Sequence, residues 1–484
     1  MNPGIDDEAL RTGRARVARS GSPDAARREA AERLEETKRM REIEQAILAR
    51  NPESDAVPTL ERVQEVMTLL GDPQRSYPVV HLTGTNGKTT TTRLIELLLR
   101  EHGLNTGRFT SPHLHDMRER IAIGGEPISP ERFIAAYDDV LPFVEMVDRA
   151  WQDRGQPRLS YFEVLVCVAY AAFADAPVDV AVVEVGLGGR WDATNVADGQ
   201  VSVVTPISID HTRLLGSTVE QITSEKSGII KPGAITVSAA QEPVVSDLLV
   251  ERAAEVGARL AVEDEEFGVV SREVAVGGQL LTLRGLAGDY DDVLLPLFGE
   301  HQAHNAALAL AAVEAFLGGG EQRLDPDVVR AAFAAASSPG RLEIVRRSPT
   351  VIVDAAHNPH GARALRAALS DAFTFTRLVG VVAIFVDKDA AGLLEELEPA
   401  FDEIVVTRTT SPRAMKPAEL GELAADIFGE DRVTVVDNLP DALEKAAELA
   451  EADAIAGGAG AGVVATGSIT MAAEVRMLLG VTGA

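Results

Sequence analysis

Apolar residues in this chain fall into two patterns. Short β-branched runs read as strands buried on both faces, and stretches with apolar positions every three or four residues read as helices covering them. From Ile43 onward the two patterns alternate. Strands are predicted at 78–83, near 106–110, at 178–185 and at 201–207, with helices at 88–102, 130–150, 160–174 and 218–229. That alternation predicts a mainly parallel sheet covered by helices. Between about 258 and 298 the texture changes to short alternating strands with turns at Gly277-Gly278, Gly285 and Gly288, which reads as an antiparallel insertion. An Ala/Leu-rich helix at 302–317 then stops at Gly318, Gly319 and Gly320. A second α/β series begins near Arg341. Its strands are predicted at 350–354, 377–385, 403–407, 433–436 and 462–466, its helices at 360–372, 390–399, 416–428 and 439–452, and 454–462 reads as a flexible loop.

The fold class is therefore α/β, with two units and a cleft between them where ligands would sit. The boundaries read as a disordered charged extension over 1–42, a first domain over 43–325, a linker over 326–340 and a second domain over 341–484. The extension is rich in Arg, Ala and Glu; Asp24 to Arg41 could be an exposed helix but lacks a broad apolar face, and a partner-binding tail is the other alternative. A net charge of −28 argues against nucleic acid or an anionic membrane as partner. The single cysteine, Cys167, lies in an apolar helical run and reads as core. No signal peptide or membrane-spanning run is visible, so a cytoplasmic location is expected.

Chemistry enters at the first strand. Val79 to Thr83 feeds Gly84, Thr85, Asn86 and Gly87, and Lys88, Thr89 and Thr90 open a helix. Backbone N–H groups of such a turn, with the positive end of the helix, suit a nucleotide phosphate. Lys88 can reach the terminal phosphates, and Thr89 or Thr90 can ligate Mg²⁺. The general phosphate-loop pattern asks for glycine where Leu82 stands, so an ordinary glycine-rich turn remains the alternative. Ser111 follows in a Ser-Pro turn at the end of a strand. Glu184 ends an apolar strand, where a carboxylate is costly unless paired or metal-bound. His211 and Asp210 end another apolar run, Lys226 lies in a helix that turns apolar, and Asp354 precedes a turn where it could equally cap a helix.

In chain order, Gly84–Lys88, Thr110–Leu114, Glu184–Asn195, Ser208–His211, Glu225–Gly233, His301–Asn305, Pro339–Glu343 and Asp354–Pro359 resemble the folylpolyglutamate synthase/dihydrofolate synthase family of the Mur ligase superfamily, in its actinobacterial form. The resemblance runs from about residue 43 to 480. It implies a P-loop ATPase domain of Mur-ligase type followed by a smaller Rossmann-like domain. It further implies an ATP-dependent ligase adding L-glutamate to folates, and to dihydropteroate, through an acyl phosphate. ATP would be held by Gly84, Thr85, Asn86, Gly87, Lys88, Thr89 and Thr90, with Asn305, Arg341 and Asp354. Ser111, Glu184 and His211 would ligate magnesium, with two ions expected, and Lys226 would carry a carbamate as N6-carboxylysine. Lys88, Lys226 and His211 are the catalytic expectations. Tyr161, Phe162, Glu163, Asp192, Ala193 and Thr194 would line the pterin–folate site. A monomer is expected.

Two segments depart from the family pattern. Asp55 to Leu60 stands where an Asp-Leu-Gly-Leu-like segment marks some bifunctional enzymes, which leaves dihydropteroate use open. The Asp387-Lys388-Asp389 element follows Ile384, Phe385 and Val386 where a glycine-containing stretch is more usual. A peptidoglycan Mur ligase would share the phosphate loop, and a nucleotide-driven switch would share it without making an amide.

Overall fold

The computed structural model describes residues 23–51, 59–452 and 460–481. Its largest sheet has eight strands: β1 (Val79–Thr83), β2 (Thr106–Phe109), β3 (Ile121–Ile123), β4 (Glu126–Pro127), β5 (Val180–Glu184), β6 (Gly199–Val204), β7 (Ile235–Ser238) and β8 (Arg259–Val262). They lie in the order β4-β3-β2-β5-β1-β6-β7-β8. All pairs from β2 to β8 are parallel, and β3 and β4 add an antiparallel edge. The chain leaves β1 for β2 and β5 on one side and reaches β6 on the other. That reversal opens a crevice at the carboxyl end of β1, where ligands of open α/β sheets bind.

Helices Pro130–Gln152 and Tyr161–Asp175 form one core layer with residues of this sheet. Lys88–Glu101, Glu300–Gly318 and Pro326–Ala334 form another, so β1 and β5 are buried along their whole length. The expected antiparallel insertion is present as β9 (Gly268–Ala275), β10 (Gly278–Arg284) and β11 (Asp289–Leu295), whereas β8 belongs to the main sheet. The second series folds as β12 (Glu343–Arg347), β13 (Thr350–Val353), β14 (Arg377–Val382), β15 (Glu403–Val406), β16 (Val433–Val435) and β17 (Ala461–Thr466). These lie in the order β12-β13-β17-β14-β15-β16, parallel except for β12.

Two segments differ from the sequence reading. Pro23–Leu48 is one helix rather than a disordered extension up to 42, and Met40, Ile43 and Ile47 anchor its end in the core. Its sequence lacks a broad apolar face, and the few apolar residues that hold it lie toward its other end. The expected linker contains the helix Pro326–Ala334, capped by the Asp325 side chain and burying Val329, Ala332 and Phe333. Asp before Pro, then apolar residues three and four apart, is a helix-start signal. Residues 1–22, most of the Asp55–Leu60 segment, and 453–459 of the expected glycine-rich loop lie outside the described residues.

Candidate active site

The turn after β1 is glycine-bearing because nothing larger fits. Gly84 has φ +143°, and a Cβ there would lie 1.9 Å from Thr205 Oγ1. Gly87 has φ +87°, and its Cβ would stand 2.6 Å from Asn305 Oδ1. The loop is thus pressed between the end of β6 and the helix Glu300–Gly318. Thr85 N and Asn86 N donate to Pro206 O at 2.9 and 3.4 Å, which fixes the turn. Lys88 begins the next helix and folds its Nζ back onto Gly84 O (3.1 Å) and Thr85 O (3.3 Å). Burial lowers its pKa, against the pull of Glu184 and Asp210.

Glu184 ends β5, is 1% exposed, and accepts from Thr89 Oγ1 at 3.0 Å and Ser111 N at 3.3 Å. Burial raises its pKa, with Lys88 opposing. Hydroxyl and carboxylate oxygens therefore gather at the start of the helix, a hard donor set of the kind Mg²⁺ takes. Among the described residues no three His, Cys, Asp or Glu side chains form a metal cluster. His211, in the left-handed region at φ +51°, has its close contacts with Asp210 and Lys388 instead. Burial and the Lys388 charge push its pKa down, so its imidazole is neutral at pH 7.

On the other side of the loop, Lys226 is 4% exposed and its Nζ donates to Gly84 O at 2.7 Å. Burial, then the charge on Lys88, brings its pKa down to about 7. A lysine so poised is substantially a free amine at neutral pH.

The later part of the chain meets this loop directly. Thr90 Oγ1 and Ser338 Oγ share a 2.8 Å hydrogen bond, and Asn305 Oδ1 accepts from Thr91 Oγ1 at 3.3 Å. Asp354, at the end of β13, accepts from Leu342 N and Ala356 N at 2.8 Å each, and Arg341 stands close enough to favour its charged form. Asn358 Nδ2 donates to Asn86 Oδ1 (3.2 Å) and Asp210 Oδ2 (3.0 Å), while Asn86 Nδ2 meets His360 Nδ1 at 2.9 Å. Lys388 Nζ donates to Asp210 Oδ1 at 2.5 Å, and His357 Nε2 lies 3.4 Å from Asp210 Oδ2. Sequence reasoning passed over Asp210, Asn358, His360 and Lys388 as site residues. All four stand inside or beside motifs it had marked, and their polarity at strand ends was the available signal.

The segments expected at the pterin–folate site are largely buried. Tyr161 is half-buried at the start of its helix, but Phe162 and Glu163 are buried. Glu163 accepts from Ser160 N at 2.6 Å and pairs with Arg62 at 3.0 Å. Asp192 is 3% exposed and accepts from Thr194 N and Leu187 N at 2.9 Å each. Burial pushes its pKa up to about 6 despite those bonds. Ala193 and Thr194 are buried too, with Thr194 Oγ1 2.9 Å from His81 Nε2. These side chains hold the loops in shape, and Tyr161 is the member with a partly open face.

Residues 340–468 match the Mur ligase, glutamate ligase domain family. Over 455 residues the chain is 50% identical to the dihydrofolate synthase/folylpolyglutamate synthase of Mycobacterium tuberculosis, spanning 91% of this chain and 93% of that protein. A solved structure of Mycobacterium tuberculosis folylpolyglutamate synthase, complexed with ADP and AMPPCP, superposes with a TM-score of 0.87 at 49% identity, over 92% of this chain and 99% of that one. The Escherichia coli FolC in complex with DHPP and ADP follows at a TM-score of 0.78 and 30% identity, over 91% and 97%. With 93% of such a relative matched at 50% identity, the chain belongs to the dihydrofolate synthase/folylpolyglutamate synthase family of Mur-type ligases.

Proposed function

We propose that the chain is an ATP-dependent ligase that joins L-glutamate to folates, extending their glutamate tails, and to 7,8-dihydropteroate, making dihydrofolate. The observation that carries this reading is the loop Gly84–Thr90, with Glu184 and Ser111 on one side and Lys226 on the other, facing Arg341 and Asp354 across the seam.

A carboxylate is a poor electrophile and needs activation. Its oxygen attacks the γ-phosphorus of ATP in line, giving an acyl phosphate and ADP. The glutamate amine then attacks the acyl carbon, phosphate leaves, and the new amide loses the amine's proton. The protein's contribution is positioning and charge neutralisation. Backbone N–H groups of Gly84–Thr90 cradle the phosphates, and Lys88 turns from its own loop carbonyls to the terminal phosphates. Asn305, Arg341 and Asp354 hold the rest of the nucleotide. Ser111, Glu184 and His211, with Thr89, would hold magnesium, and two ions are proposed. Magnesium supplies charge neutralisation at the phosphates when bound. Lys226, amine-like at neutral pH, is suited to take up CO₂ as a carbamate, which converts a cation at this site into an anion. Tyr161 with its neighbours, and the Asp192–Thr194 loop, shape the acceptor pocket. Closing the seam shields the acyl phosphate from water.

The first domain is proposed to run through the helix Pro326–Ala334, with the second beginning near residue 340, where the family match starts. No described helix is long and apolar enough to cross a membrane. A cytoplasmic monomer acting on small molecules, without nucleic acid, is the setting proposed. ADP release tests the function: it must require both a folate and glutamate, whereas a nucleotide switch would release ADP without either. Mass spectrometry of products from ATP, glutamate and dihydropteroate tests the second activity.

A further inference from the structure

Four arginines are buried among the described residues: Arg62, Arg108, Arg120 and Arg476. Arg62 pairs with Glu163, Arg108 with Glu96 and Arg476 with Glu343. Arg120 is 4% exposed, and among the described residues no carboxylate lies within ion-pair distance of it. Its Nε donates to the uncharged Nδ1 of His113 at 2.9 Å, its guanidinium carbon sits 5.0 Å above the Tyr161 ring, and its Nη1 is buried with no partner.

This arrangement is incomplete. A buried guanidinium loses its hydration, and one ring face and one hydrogen bond to a neutral partner compensate it only in part, leaving Nη1 buried with nothing to donate to. The shortfall points to an anion that completes the site. Its position narrows the choice. The Arg120 carbonyl accepts from Thr110 N at 3.0 Å, one residue before Ser111, while its guanidinium faces Tyr161. Arg120 thus stands between the proposed acceptor pocket and the phosphate site. The phosphates have Lys88 and the loop N–H groups, and a pteridine ring has no negative charge to offer. The acceptor's tail does. A guanidinium binds a carboxylate through paired N–H groups, and one such N–H is here unused.

We propose that Arg120 binds the unreacting carboxylate of a glutamate-tailed folate and so selects between the two kinds of acceptor. A folate ending in glutamate carries two carboxylates, one to be activated and one to be held. Dihydropteroate carries only the one to be activated. The inference rests on the ligase reading above.

The experiment compares kcat/KM for tetrahydrofolate, for dihydropteroate, and for a tetrahydrofolate analogue in which 4-aminobutyrate replaces the glutamate. In the wild type, losing the second carboxylate should lower kcat/KM about 10-fold or more. Arg120→Gln should lower kcat/KM for tetrahydrofolate about 10–100-fold more than for either one-carboxylate acceptor, chiefly through KM. Arg120→Lys, which keeps the charge, should recover part of that ratio. Equal losses with all acceptors would overturn the proposal, as would a wild type indifferent to the second carboxylate. The wild-type comparison stands even if Arg120→Gln does not fold. Absence of ADP release with every acceptor would sink the ligase reading itself, a result distinct from an unchanged ratio.

Discussion

Lys388 Nζ and Asp210 Oδ1 lie 2.5 Å apart, joining the loop after β14 to the loop after β6 across 178 residues of sequence. Their side chains are 6% and 8% exposed, so the pair is shut away from water at the seam between the two sheets. Burial alone would raise the Asp210 pKa. The hydrogen bond from His357 and the charge of Lys388 overcome that and hold it well below the usual carboxylate range. Removing one partner of a buried pair strands the other charge. Lys388→Ala should therefore destabilise the protein by about 3 kcal/mol, the lower end of the usual range because Asn358 still donates to Asp210. Chemical denaturation measures this, and an unchanged midpoint would show that the bridge does not hold the seam.

Lys88→Ala and Glu184→Gln each remove one part of the proposed phosphate and metal site. Both should lower kcat by roughly 100-fold or more while leaving the circular dichroism spectrum unchanged. Lys88 is half-buried at a loop-to-helix junction, and Gln keeps the shape of Glu184. Near wild-type ADP release with normal Mg²⁺ dependence in either variant would remove that residue from the site.

Lys226 carries a pH prediction. Its pKa near 7 means that the amine is protonated and unreactive toward CO₂ below that value, and free above it. Carbamate formation, followed by ¹³C NMR in labelled bicarbonate, should rise through pH 7 rather than near 10.5. The unfolded chain binds this proton more tightly, so the unmodified side chain costs stability below pH 7, and the cost fades as pH rises toward 10.5. Lys226→Ala should lose most activity, with partial return on adding a short carboxylic acid. Persistence of an unmodified lysine at pH 8 in saturating bicarbonate would end the carbamate assignment.

Gly84 and Gly103 share positive φ but not surroundings. A Cβ at Gly84 meets Thr205, and one at Gly103 meets nothing within 4 Å. Gly103→Ala should cost about 1 kcal/mol from backbone strain alone. Gly84→Ala should cost more and weaken nucleotide binding, because the loop must move away from β6. Thermal melts with and without ATP compare the two, and equal costs would mean that the close approach is not what requires glycine.

The chain's own pattern was enough for both α/β series, for the glycine-bearing turn between β1 and the helix that begins at Lys88, and for Glu184 and Asp354 as acids at strand ends. Those features are local: period and turn chemistry sit within a few residues, and a buried strand ending in a carboxylate is visible in one line of sequence. The helix Pro326–Ala334 was equally visible and was passed over because a linker was expected there. Other relationships existed only after folding. Arg120 reads like any surface arginine until three other buried arginines are seen to have a carboxylate and it is seen to have none. Asp192 is expected at the acceptor pocket from the family resemblance, and only the fold shows that its oxygens also accept from Thr194 N and Leu187 N. Lys388 and Asp210 come together because two separately built sheets abut at their carboxyl ends. Periodicity records which face of an element is buried. It carries no record of which distant element will cover that face, and the partner of a buried charge is decided there.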